Sequence, residues 1–229
     1  MLTKEMTRCI AKISGDGNLY KTYVRYSNTC KQLRDEFKKD MKKEFGSNIH
    51  FTEGTGNSGT PFVQIHRKEN INKFLSYLPD YRSNYIYIPN QIKFAPKYIH
   101  QNYLRAFYDD EGSPSLRFDK NEKAWKRSIS LSSNSLRILQ EVKFMILNDF
   151  NINTNKIIRN KPPSNYDMSY VLTITGQDNL IKFKNNIEFK HPDKIRRLSW
   201  IIKSYSATPK HKQAFANLFK ILRKNKVGS

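Results

Sequence analysis

The sequence predicts an α+β fold built from two related, pseudo-symmetric αββαββα halves. Three observations carry the prediction. Helix-period and strand-period segments follow one another in that order twice along the 229 residues. Two segments of the first half have partners in the second at nearly one spacing. Each half also opens on an apolar helix that ends in an acid followed by glycine.

"YSNTCKQL" at 26–33 aligns with "SSNSLRIL" at 132–139, which sets Ser27, Asn28 and Thr29 on Ser133, Asn134 and Ser135. In both places a strand-like run gives way to a helix that Ser or Asn can cap. "FVQIHRKENINKF" at 62–74 aligns with "VLTITGQDNLIKF" at 171–183, with Ile65 on Ile174 and Phe74 on Phe183. "CIAKISGDGNL" at 9–19 sets Asp16 before Gly17, as "LRAFYDDEGSP" at 104–114 sets Glu111 before Gly112. A small residue, Ala11 or Ala106, stands five positions before each acid.

The first half reads as a helix over 4–14, then short strands near 19–20 and 23–27. A helix over 29–45 follows, with Leu33, Phe37, Met41 and Phe45 at every fourth position and "FG" closing it. "NIHFTE" and "PFVQIH" alternate as strands around the Gly-rich hairpin "GTGNSGT". A further helix covers 69–78. The second half opens on a helix over 96–110, with Pro96 in its first turn. Strands near 115–119 and 128–131 precede a helix over 134–149, whose apolar face carries Leu136, Leu139, Val142, Ile146 and Leu147. Strands near 156–159 and 170–174 flank the loop "NKPPSNYDMS", and helices cover 177–186 and 192–204. The expected division is therefore 1–78, a linker at 79–95, a second half at 96–204, and an extra helix and tail at 205–229. The last helix, over 209–224, would pack Phe215, Leu218, Phe219 and Leu222 on the second half.

Lys and Arg number 41 against 20 Asp and Glu, a net charge of +21. With 13% aromatic residues the chain is a folding one, so this charge lies over a surface. Nucleic acid is the leading partner, because a phosphate backbone rewards distributed cations. No apolar run is long enough to span a bilayer, and no membrane partner is expected. Cys9 and Cys30 form neither a metal pattern nor a disulfide framework, so they are read as reduced thiols of an intracellular protein.

If the two motif helices pack side by side about a pseudo-twofold axis, both acids arrive at one end of the interface. Ala11, Gly15 and Ala106 permit close approach. Two carboxylates at such a point repel unless a cation lies between them. A hard divalent ion such as Mg²⁺ suits their oxygens. Acids sharing metal beneath a basic surface suit phosphodiester hydrolysis.

With its motifs "CIAKISGDG" at 9–17 and "LRAFYDDEG" at 104–112, the chain resembles the LAGLIDADG homing endonucleases in their single-chain, two-motif form. The resemblance spans about residues 3 to 204. It implies motif helices at the interface and antiparallel sheets forming a saddle on the DNA major groove. It also implies a functional monomer that cuts both strands of a long asymmetric double-stranded DNA site. Asp16 and Glu111 would be the catalytic metal ligands, and Gly15 and Asp110 would lend backbone carbonyls. Two or three Mg²⁺ ions would be shared, Mn²⁺ would substitute, and Ca²⁺ would bind without cleavage. His66 is a candidate auxiliary catalytic residue. Candidate DNA-binding residues are Lys21, Arg25, Ser27, Asn28, Arg67, Arg117, Lys126, Ser132, Ser133, Lys156 and Arg159. In an alternating strand only every second side chain can face DNA. Polar Lys12 and Ser14 depart from the family pattern, as does the very short first hairpin. The alternative is a non-cleaving binder of the same fold, an intron RNA maturase or a DNA-binding regulator. An organelle or an archaeal or bacterial cytoplasm would suit an intron-encoded or free-standing protein of this kind.

Overall fold

The computed structural model describes residues 2–160, 169–208, 210–215 and 217. The first half comprises α1 (Lys4–Ser14), β1 (Gly17–Leu19), β2 (Val24–Ser27), α2 (Lys31–Phe45), β3 (Thr52–Thr55), β4 (Pro61–Ile65) and α3 (Lys68–Leu75). A single turn, α4 (Asn90–Lys93), lies in the connection. The second half comprises α5 (Lys97–Glu111), β5 (Gly112–Asp119), β6 (Ala124–Ser133), α6 (Leu136–Phe150), β7 (Ile158–Asn160), β8 (Ser169–Ile174), α7 (Gln177–Asn186) and α8 (Pro192–Lys203). Most of the loop at 160–169 and of the expected helix at 209–224 lies outside the described residues.

The two sheets share one topology, β1-β2-β4-β3 and β5-β6-β8-β7, antiparallel throughout. Their register corrects one alignment. Val24 pairs Ile65 and Ser27 pairs Phe62, as Ile129 pairs Ile174 and Ser132 pairs Val171. Ser27 and Asn28 therefore correspond to Ser132 and Ser133, one residue earlier than the sequence match placed them. The helix starts agree, since Cys30 and Ser135 occupy the same N-cap position. The hydrogen-bonded ladder fixes this one-residue slip, which would otherwise turn each serine to the opposite face of the sheet.

One face of each sheet is apolar and covered by helices. Val24, Tyr26, Val63 and Ile65 are buried in the first half, and Leu116, Ile129, Leu131, Leu172 and Ile174 in the second. Between the halves run α1 and α5. Thr3 caps α1, its Oγ1 accepting from the Met6 N–H at 3.0 Å. Every residue of α1 from Glu5 onward is buried, which makes it an interior helix. Ala11 and Ala106 are fully buried. At the C-terminal ends the helices almost touch: a Cβ at Gly15 would stand 2.9 Å from Asp110 Cβ. The expectation of side-by-side motif helices holds.

The interface is not purely apolar. Arg8 grips Asp40 through Nε and Nη2 at 2.7 and 2.5 Å, and its Nη1 donates across the interface to Asn102 at 2.7 Å. Glu36 of α2 lies 3.3 Å from Lys12, 3.2 Å from Arg105 and 3.1 Å from Lys190. Two of those three cations belong to the second half. Buried charges survive here because each is paired.

Candidate active site

Asp16 follows α1 directly, and its carbonyl accepts the Ser27 N–H at 3.1 Å, which ties it to the end of β2. Glu111 is the last residue of α5 and precedes β5. The sharp helix-to-strand passages need glycine. A Cβ at Gly17 would stand 2.4 Å from Ile13 Cα, and one at Gly112 would stand 2.5 Å from the Tyr108 carbonyl oxygen.

Asn28 links the acids. Its Nδ2 donates to Asp16 Oδ2 at 2.7 Å and to Asp110 Oδ1 at 3.2 Å. Tyr26 Oη also donates to Asp110 Oδ1, at 2.6 Å. Its Oδ2 is buried with no hydrogen-bond partner. Burial, with Asp16 as a neighbouring like charge, raises the Glu111 carboxyl to about 7. Burial likewise raises Asp110 well above the usual carboxylate range, with Asp16 adding to the effect and Lys12 opposing it.

A cavity of about 180 Å³ opens here, lined among others by Asp16, Ser27, Asn28, Thr60, Asp110 and Lys194. Lys194 comes from α8, and its Nζ donates to the carbonyls of Tyr108, Asp109 and Asp110 at 3.2, 2.5 and 3.0 Å. It thereby neutralises the helix end at which three consecutive acids are otherwise disfavoured. Asp109, with no role assigned from the sequence, is 1% exposed. It accepts the Lys190 and His191 N–H groups at 2.8 and 2.9 Å and so anchors the start of α8. Sequence reasoning missed Lys194, His191 and Glu36. The one visible signal was a lysine, Lys12, inside an apolar helix.

The site fits a hard divalent cation in its donor chemistry. It offers carboxylate oxygens from both halves, one of them the orphaned Oδ2 of Asp110. Among the described residues no three His, Cys, Asp or Glu side chains form a ready cage. Mg²⁺ needs none, since it keeps several waters and binds through one or two carboxylates plus substrate phosphate.

His66 is not brought to this site. Asp16 lies where β2 ends, at Ser27 opposite Phe62, whereas His66 follows Ile65 at the other end of β4. Four strand positions, about 13 Å, separate Phe62 from His66. His66 contacts Gln64 at 2.7 Å instead, and Arg67 Nη2 reaches the Asn48 carbonyl at 3.4 Å.

The open faces of the sheets carry polar groups. Arg25 and Ser27 face outward in the first half, with Arg25 stacked 4.1 Å from the Phe62 ring centre and bonded to Gln64 at 2.7 Å. Lys21 sits exposed in the β1–β2 turn. In the second half Ser113, Ser115 and Arg117 pair with Ser130, Ser128 and Lys126 on the open face. They line a depression of about 1000 Å³ together with Asn155, Asn160 and Thr173. Ser132 and Lys156 are exposed beside it. Ser133 Oγ accepts the Ser135 N–H at 3.1 Å, a turn contact at the strand end. Arg159 is opposite Tyr170, which turns it to the side of the edge strand away from the open face, although it is exposed there. Arg127 is turned the same way and bonds Ser204.

The fold and site together define a two-motif protein, in which duplicated αββαββα halves meet at paired helices with an acid at each end. Residues 99–188 match the LAGLIDADG-like domain. No curated protein sequence matches the chain. Among solved structures it is similar to I-DmoI in complex with DNA and Mn, at a TM-score of 0.57 and 17% identity, covering 81% of this chain and 96% of that one. It is similar to the homing endonuclease I-WcaI bound to its DNA recognition sequence, at a TM-score of 0.57 and 17% identity, covering 85% and 87%. Full-length DUF199/WhiA from Thermatoga maritima matches at a TM-score of 0.56 and 13% identity, covering 98% and 70%. The chain thus contains a LAGLIDADG-like domain and has the fold of the single-chain, two-motif LAGLIDADG homing endonucleases.

Proposed function

We propose that this protein is a site-specific DNA endonuclease that makes a double-strand break in a long asymmetric target by divalent-metal-dependent hydrolysis. The observation that supports this reading is that Asp16 and Glu111, one from each half, end their motif helices close enough for Asp16 to raise the Glu111 carboxyl, with Asp16 lining a cavity. The net charge of +21 suits a DNA partner. Magnesium, when bound, would activate a water and stabilise the departing oxygen. Asp16 and Glu111 would hold it, Asn28 would orient Asp16, and Lys194 would fix the end of α5. Burial and Asp16 raise the Glu111 carboxyl to about 7, so any proton it still carries must leave before it serves as a ligand. The protein would act as a single chain inside a cell or organelle that holds its target, encoded within an intron or free-standing.

A non-cleaving binder, for DNA or for intron RNA, is the second reading. It rests on the hydrogen bonds that Asn28 and Tyr26 already give to Asp16 Oδ2 and Asp110 Oδ1. One experiment separates the two. The protein is incubated with DNA from an intronless copy of its host gene, with Mg²⁺ and then with Ca²⁺. Cleavage in Mg²⁺ and binding alone in Ca²⁺ are expected. Asp16→Asn or Glu111→Gln should lower cleavage by more than about a hundredfold while DNA binding stays within about threefold. Binding without cutting in either metal would sink the nuclease reading.

A further inference from the structure

The two open sheet faces share one ladder but not one chemistry. The register that sets Val24 on Ile129 and Ile65 on Ile174 also sets Tyr23, Arg25 and Gln64 on Ser128, Ser130 and Thr173. Small hydroxyl side chains of the second half thus stand where the first carries a ring, a guanidinium and an amide. The shared fold does not require those larger groups, so what they build is particular to the first half.

They build a mount for one guanidinium. The central carbon of the Arg25 guanidinium lies 4.1 Å from the centre of the Phe62 ring and 4.9 Å from that of Tyr23. Tyr20 backs Tyr23, with 4.5 Å between ring centres. Arg25 Nε donates to Gln64 Oε1 at 2.7 Å, and Gln64, itself buried, has its Nε2 2.7 Å from His66 Nε2. With Oε1 accepting from Arg25, Gln64 Nε2 is the donor to His66, which leaves the ring proton on Nδ1. His66 therefore backs the mount from the far end of β4. The two Nη groups are the free end of the fork. Among the described residues neither has a hydrogen-bond or ion-pair partner. Arg25 lies half-buried on the open face.

A phosphate needs only a point charge, which a mobile lysine supplies. A guanidinium held at Nε and by two rings, with its Nη pair left over, matches the paired acceptors O6 and N7 that guanine shows in the major groove. We propose that Arg25 is a specificity-determining residue that reads one guanine of the target, and that Phe62, Tyr23 and Gln64 are the positioning residues that hold its fork. The assignment rests on the endonuclease reading, since it needs duplex DNA on the open faces. The ladder also gives the guanine its place. Arg25 is two strand positions, about 7 Å, from Ser27. The Ser27 N–H bonds the Asp16 carbonyl. The guanine therefore belongs to the inner part of the half-site that the first half covers.

The test selects binding sites for the full chain from randomised duplex DNA in the presence of Ca²⁺. Wild type should recover a long site in which one inner position of one half-site is guanine, favoured by about tenfold or more over the other bases. Arg25→Met should lose that preference alone, with the other positions and the salt dependence of binding unchanged. Gln64→Leu and Phe62→Leu should lower the preference at the same position although Arg25 is present. Two positioning variants are used so that a failure of one to fold leaves the other to decide. A guanine preference that survives in Arg25→Met overturns the assignment. So does a loss spread over every sequence with a salt slope reduced by about one, which is the mark of a phosphate contact. A preference untouched in both Gln64→Leu and Phe62→Leu refutes the positioning roles. If wild type selects no sequence at all, the site-specific reading of the proposed function fails. If it selects a site that holds no Arg25-dependent guanine, that reading stands and the guanine assignment alone is refuted.

Discussion

Glu111 shows how much one residue's surroundings decide. Its carboxyl stands at about 7 because it is buried and faces Asp16. An acid raised in the folded state keeps a proton that the unfolded chain has already lost. Between its ordinary value of 4.5 and about 7 the folded protein therefore binds more protons, and stability falls as pH rises. Asp40, Asp109 and Asp110 are raised too and act in the same direction. Metal-free protein should show a falling melting temperature across that window, and Glu111→Gln should flatten the fall. An unchanged slope would mean that Glu111 is not the group titrating. Asp16 and Glu111 were legible in the sequence because acid-glycine after an apolar helix occurs twice. Lys194 was not, because a tertiary contact brings it from α8 to the end of α5, and no spacing in the chain announces such a contact. Asp109 and Asp110 were legible as acids but not in their roles, since only packing separates an anchor for backbone N–H groups from a partner for Tyr26.

The elements differ most between the two hairpins. β1 and β2 have 3 and 4 residues, whereas β5 and β6 have 8 and 10. The longer arm extends the open face by several ladder pairs. The sequence placed the helices well, because their apolar period is strong. It shortened β5 and β6, because Gly112 to Pro114 and Ala124 to Arg127 lack the alternating apolar residues by which a strand is recognised. DNA contact should follow the structural lengths. Arg117→Ala and Lys126→Ala should each weaken DNA binding and reduce the salt dependence of log K by about one unit, as loss of a phosphate contact does. Arg159→Ala, on the side of the edge strand away from the open face, should leave that slope unchanged. Equal slopes for all three variants would refute the register argument.

At the scale of the molecule the halves are locked by charge as well as by apolar packing. Glu36 draws Lys12 of its own half together with Arg105 and Lys190 of the other. Glu36→Gln would leave those cations without their shared anion, a loss of about 3 kcal/mol for a broken buried pair. Denaturant melts should show it as a lower midpoint with an unchanged slope, and a shift under about 0.5 kcal/mol would place the stability in the apolar contacts instead. The contact between Gly15 and Asp110 bears on how the two halves fit. Two copies of the second half, assembled about the same axis, would press Asp110 against Asp110 with a phenylalanine in place of each Lys12. Two copies of the first would face glycine with glycine and leave the space that Asp110 fills empty. Neither half can now replace the other as a mate. The two faces at the axis are complementary rather than alike.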